Sequence, residues 1–176
     1  TFNEKDFIFL RTIYCKDNKT IFLVIHIDSL CIFALKKVTG QREKLEREAE
    51  FYKSYYHRCF VPFYGFISNE KYFGFVYEFM CNGNLHNIIL NSNKFSFFYL
   101  FMSMIRIFQA INYLHSNNYI HRDINPFNIL IDHDYIPYVS DFEHTRLINE
   151  DNSIELTSDI GSVPYQSPEQ YRTKTY

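Results

Sequence analysis

Cysteine is scarce in this chain and poorly spaced for cross-linking. Cys15, Cys31, Cys59 and Cys81 are the four present in 176 residues, with no C-x-x-C pair and no paired histidines. That pattern argues against a disulfide framework or a structural zinc and points to a reducing compartment, the cytoplasm. A charge excess is missing too. Eighteen Lys+Arg against 20 Asp+Glu give −2, without the basic surplus of a general nucleic-acid binder. Long apolar runs are also absent: the longest, residues 97–105, is too short to cross a bilayer and contains Ser103, so no membrane segment is expected in this chain. No signal peptide opens it, although "TFNEKDF" lacks an initiator Met and leaves room for an N-terminal extension. Repeats and low-complexity tracts are not found.

What is present describes a soluble globular protein, 47% hydrophobic and 22% charged, long enough for a sizeable core. The 19% aromatic content accompanies many Asn and Ile. It reads as drift toward residues with A/T-rich codons, not as a stacking surface for bases. Nothing sets the oligomeric state.

The first part of the chain reads as strands. "DFIFLRTI" and "KTIFLVIHI" flank the polar turn "CKDNK" (15–19), which predicts a hairpin, and "LCIFALKKV" (30–38) predicts a third strand. The period then changes. In "QREKLEREAEFYKSYY" (41–56), Leu45, Ala49, Tyr52 and Tyr56 share one helical stripe. "FVPFYGFI" (60–67) and "KYFGFVYEF" (71–79) predict another strand pair. After "CNGN" (81–84) the character is helical: a short helix at "LHNIIL" and a long one over 95–116, apolar nearly all round and so expected to be buried. The chain stops at "YRTKTY" without a helix-closing signal, which predicts that the helical half continues beyond it.

"NILIDHDYIPYVSD" (128–141) reads as two short strands folded about "DHDY". Folding there brings Asn128 and Asp141 to the same open end, where both can offer oxygen to a hard cation such as Mg²⁺. Asp123 lies five residues before Asn128 in the loop entering this hairpin. A capped turn is the ordinary explanation of one Asp/Asn pair; three oxygen-bearing side chains at one edge weaken it. Lys36 shares a strand face with Ile32, Ala34 and Val38, and Glu48 points along the apolar stripe of its helix. Either alone reads as a snorkelling surface charge. A carboxylate on an inward face needs a partner, and Lys36 is the natural one.

With these motifs the chain resembles the eukaryotic protein kinase domain, nearest its Ser/Thr and tyrosine-kinase-like branches. "FALK" (33–36) resembles V-A-I-K, which makes Lys36 the phosphate lysine and Glu48 its helix partner. "HRDINPFN" (121–128) matches H-R-D-x-x-x-x-N, with Asp123 as catalytic base and Asn128 as metal ligand. "SDFE" (140–143) stands where the family has D-F-G, giving Asp141 to Mg²⁺, and "GSVPYQSPE" (161–169) resembles the end of the activation segment. "VYEFM" (76–80) resembles the hinge, with Tyr77 as gatekeeper and Glu78, Phe79 and Met80 beside adenine; Ile21, Ala34 and Leu130 complete the adenine set.

The resemblance implies an α+β, two-lobed fold: an antiparallel-sheet N-lobe with hinge over 1–80, and an incomplete, mostly helical C-lobe over 81–176. It further implies ATP and Mg²⁺ as cofactors and a protein substrate. Phe63, Tyr52, Phe142 and His121 would form the family's regulatory spine, Ser162 would face Asp123, and a phosphate on Ser158 or Thr157 would meet Arg122.

The chain departs from the pattern in three places. The Gly-rich loop aligns with "YCKDNKTI" (14–21), where Tyr14, Lys16 and Lys19 replace the glycines that let backbone amides approach phosphate. Asn125 stands where Ser/Thr kinases keep a lysine, and Glu143 replaces the glycine of D-F-G. Two functions follow: ATP-dependent phosphoryl transfer to protein Ser/Thr hydroxyls, weakened by these changes, or a pseudokinase that binds or scaffolds without transfer.

Overall fold

The computed structural model describes residues 1–40, 42–91, 96–148 and 162–166. The chain divides into two units, Thr1–Cys81 and Asn82–Tyr176.

The first unit is built on β1 (Phe7–Lys16), β2 (Lys19–His26), β3 (Ile32–Val38), β4 (Phe63–Ser68) and β5 (Phe73–Glu78). They form one antiparallel sheet in the order β1-β2-β3-β5-β4. Helix α1 (Arg42–Ser54) buries Leu45, Glu48, Ala49, Phe51 and Tyr52. These lie at three- and four-residue steps, so one stripe faces the protein while the charged positions face water. The opposite sheet face carries Phe7, Val24, Phe33, Leu35, Ile67 and Val76, covered by Phe2, Phe22 and Tyr72. Phe2 is held there by its N–H to the Phe66 carbonyl at 2.9 Å. Gly65 has φ +154°, and its missing Cβ leaves 3.0 Å to the Phe2 ring, so any side chain would displace the covering segment.

The "CKDNK" turn is tighter than the sequence predicts. Strand β1 continues through Cys15 and Lys16, Lys16 pairs with Lys19, and only Asp17 and Asn18 lie between, Asp17 with φ +50°. A two-residue turn needs positive φ, which Asp and Asn tolerate best after Gly. Asn18 then ties the tip down: its Nδ2 donates to the Thr39 carbonyl, and its own carbonyl accepts the Thr39 N–H at 3.0 Å.

In the second unit, α2 (Leu85–Asn91) and α3 (Phe97–Ser116) precede β6 (Tyr119–Ile120), β7 (Ile129–Ile131), β8 (Pro137–Val139) and β9 (Arg146–Leu147). β7 pairs with β8 and β6 with β9, both antiparallel. Asp132 closes the β7–β8 turn, its Oδ1 accepting the N–H groups of Asp134 and Ile136 at 2.9 and 2.8 Å.

Helix α3 corrects one expectation. It is not buried all round: Ser103, Ala110 and Leu114 are buried, while Phe97, Phe101, Met104 and Phe108 are exposed. Hydropathy sets which sides of a helix tolerate burial, and the packing partners set which sides receive it. Among the described residues α3 packs against β6 and β8, and its buried positions are Ser103, Ala110 and Leu114. With 20 residues α3 is also long and apolar enough by length and composition to cross a membrane. Arg106 in its middle donates from Nε to the Pro137 carbonyl at 2.8 Å and lies 4.9 Å from the Tyr138 ring centre, which fixes one side of α3 to the β8 strand.

Candidate active site

The segment from β6 to β7 carries the densest polar network. His121 is 3% exposed. Its Nε2 faces the Ser140 carbonyl at 3.1 Å and its Nδ1 accepts the Asp123 N–H at 3.3 Å, so the neutral Nε2–H tautomer satisfies both. Its ring packs 5.0 Å from Phe142. Burial pushes this imidazole below its ordinary 6.5, with the Ser140 carbonyl opposing.

Arg122 turns the chain at φ +73°, and Asp123 follows with a carboxylate held by three donors. Oδ1 accepts Asn125 Nδ2 and the Ser162 N–H, each at 2.9 Å; Oδ2 accepts Asn128 Nδ2 at 2.8 Å. Ser162 therefore lies against Asp123, 39 residues away in sequence. Thr157, Ser158 and Glu169 lie outside the described residues.

Asn128 and Asp141 converge through Ser140. The Ser140 N–H and Oγ both donate to the Asn128 carbonyl at 2.9 Å, which places Asp141 one residue beyond that pairing. Because Asn128 Nδ2 is committed to Asp123, its Oδ1 is the atom left to bind a metal. Asp141 sits in the left-handed region (φ 62°, ψ 73°), a conformation that costs a non-glycine residue about 1–3 kcal/mol and gathers at functional sites. Mg²⁺ binds through one or two carboxylates or amide oxygens and completes its shell with phosphate and water. An amide oxygen and a carboxylate fit that chemistry.

In the first unit Lys36 and Glu48 are 5% and 3% exposed and form an ion pair at 3.0 Å. The Tyr77 hydroxyl donates to the same Glu48 Oε1 at 3.4 Å, and Lys36 Nζ lies 5.4 Å from the Phe75 ring centre. Strand register sets this cluster: Lys36 stands opposite Ile21 on β2, and Ala34 opposite Tyr77 on β5. Tyr77 and Met80 are buried, while Ile21, Ala34, Glu78, Phe79 and, in the second unit, Leu130 are half-buried. Glu78 accepts a hydrogen bond from the Tyr64 hydroxyl, which pushes that phenol up to about 12. Of the four spine residues, Tyr52 stacks on Phe63 at 4.8 Å within this unit, as His121 packs on Phe142 within the other.

Three contacts escaped the sequence reading: the Tyr77–Glu48 hydrogen bond, the Asn18–Thr39 tie, and above all Asn125. An Asn two residues before an amide that needs an acceptor is the signature of an Asx turn and was the available signal. Tyr14 and Lys16 lie in β1 and Lys19 opens β2, so all three glycine-aligned positions belong to the hairpin ladder.

The family model for the protein kinase domain matches residues 18–176. A receptor-like serine/threonine-protein kinase of Arabidopsis thaliana is 30% identical over 154 residues, covering 84% of this chain and 43% of that protein. An Aurora kinase of Eremothecium gossypii is 28% identical over 163 residues, covering 89% of this chain and 44% of its own length. A probable LIM domain-containing serine/threonine-protein kinase of Dictyostelium discoideum is 34% identical over 122 residues, 68% of this chain and 12% of that protein. The chain thus spans less than half the length of these relatives. From its motifs, its five-stranded sheet with α1, and this match over nearly its whole length, the chain belongs to the protein kinase domain family.

Proposed function

We propose that this chain supplies the ATP- and Mg²⁺-dependent phosphoryl-transfer machinery of a cytoplasmic protein kinase directed at Ser/Thr hydroxyls. The observation that carries the proposal is the Asp123 carboxylate, held through both oxygens by Asn125, Asn128 and the Ser162 N–H. A carboxylate so oriented is suited to align and deprotonate an incoming hydroxyl. Lys36, kept in place by Glu48, would neutralise phosphate oxygens. Asn128 and Asp141 would hold Mg²⁺, which supplies charge neutralisation for the transferred phosphoryl. Ile21, Ala34, Leu130 and the Tyr77–Met80 segment would receive adenine. Ser162 beside Asp123 favours Ser/Thr acceptors, as do the relatives described as serine/threonine kinases.

A second reading, a pseudokinase that binds nucleotide or partners without transfer, is favoured by the β1–β2 hairpin. A loop without glycine whose tip is tied to Thr39 offers phosphate few free backbone amides. The two readings part on Asp123→Asn, assayed as label transfer from γ-labelled ATP to a generic protein substrate by the full-length protein. Transfer should fall by about 10²–10⁴, while the Mg²⁺-dependent thermal shift with ATP persists. Equal background transfer from wild type and variant would refute the enzyme and leave the pseudokinase.

A further inference from the structure

Asn125 is buried, with 3% of its surface exposed, and it uses both ends of its amide. Oδ1 accepts the N–H groups of Phe127 and Asn128 at 2.9 and 3.3 Å. Nδ2 lies 3.2 Å from the Asp123 carbonyl, 2.9 Å from Asp123 Oδ1 and 3.3 Å from Ser162 Oγ. One side chain therefore folds the loop that delivers Asn128 into β7, grips the carboxylate two residues before it, and reaches the hydroxyl of Ser162. A lysine ammonium could only donate; an amide donates and accepts at once. Where the family keeps a positive charge, this chain thus has a side chain that bonds the loop's backbone amides as well as the Asp123 carboxylate.

From this network we infer that Asn125 is the positioning residue of the active-site loop: its Nδ2 fixes the rotamer of the Asp123 carboxylate against Ser162, and its Oδ1 fixes the backbone that carries Asn128. The inference rests on the reading of Asp123 as the group that aligns the acceptor hydroxyl. Orientation errors near 1 Å at such a group cost about 10²-fold in rate. The burden should therefore fall on turnover and not on nucleotide binding, because Lys36 and the adenine-side residues stand on other elements.

Asn125→Asp is the discriminating variant. It keeps an oxygen for the Phe127 and Asn128 N–H groups, and it replaces the donor facing Asp123 with a second carboxylate. The expected result in full-length protein is a roughly 10²-fold fall in kcat with KM for ATP changed less than about three-fold, and a melting temperature lower by a few degrees. The exchange variant Asn125→Asp/Asp123→Asn puts a donor back opposite an acceptor. It should recover part of the melting temperature lost in Asn125→Asp, not all of it, because the Asn at 123 then turns an N–H toward the Ser162 N–H or the Asn128 amide. It should not recover turnover, since the carboxylate now sits at position 125. This stability readout needs no catalysis, so it tests the network even if wild type transfers no phosphate, the outcome that defeats the enzyme reading alone. An exchange variant no more stable than Asn125→Asp would overturn the inference. So would a folded Asn125→Asp protein with wild-type kcat.

Discussion

Replacing Lys36 with Met tests the buried charge pair of the first unit. Met keeps the length and apolar stem of lysine but leaves the Glu48 carboxylate, 3% exposed, without the ammonium 3.0 Å away that offsets its desolvation. Breaking a buried pair from one side costs about 3–5 kcal/mol. The Tyr77 hydroxyl at 3.4 Å stays with the carboxylate and places the expectation near the lower end. At about 2–4 °C per kcal/mol for a chain of this size, melting should fall by roughly 6–12 °C. Glu48→Leu should cost a similar amount, because it removes the carboxylate that offsets the desolvation of the buried ammonium. The double variant Lys36→Met/Glu48→Leu should recover most of the loss, since a buried pair exchanged for apolar side chains of similar volume is often neutral or stabilising. Thermal unfolding followed by circular dichroism, without nucleotide, measures all three. Single variants that melt within a degree of wild type would refute the reasoning, as would additive losses in the double variant.

Tyr14→Gly/Lys16→Gly places two glycines in β1, where each costs about 0.5–1 kcal/mol of strand stability. Melting should drop by a few degrees, while kcat/KM for ATP rises if phosphate grip limits the rate, and a steady-state ATP titration decides. The pH dependence of stability reports on His121. Burial lowers its folded-state pKa below the ordinary 6.5, so near and below that pH the unfolded chain binds more protons. Its contribution is therefore present above about 6.5 and is lost as pH falls toward the folded value. His121→Phe should flatten the slope of unfolding free energy between pH 7 and 5 in urea titrations; an unchanged slope would place the sensitivity elsewhere.

Much of this molecule is legible in its sequence. The strand-rich first part, the helix with Glu48 on its inward stripe and the hairpin after Asn128 all follow from local period and turn chemistry, which depend only on near neighbours. The roles expected of Asp123 and Asn128 come from the resemblance of "HRDINPFN" to H-R-D-x-x-x-x-N. What tertiary structure alone decided are pairings across distance. Sequence names Lys36 as the natural partner of Glu48, and the tertiary structure sets their 3.0 Å separation and burial. Asn125 reads as a missing charge until Ser162, 37 residues on, and Asp123 are seen around its amide. The hairpin at "CKDNK" is predicted from sequence, but that its ladder runs through Lys16 and that Asn18 is tied to Thr39 is seen only in the structure. Helix α3 is the clearest case. Its composition fixes that every side tolerates burial, but which side is covered depends on where β6 and β8 lie, and no local pattern in the helix encodes the position of another element.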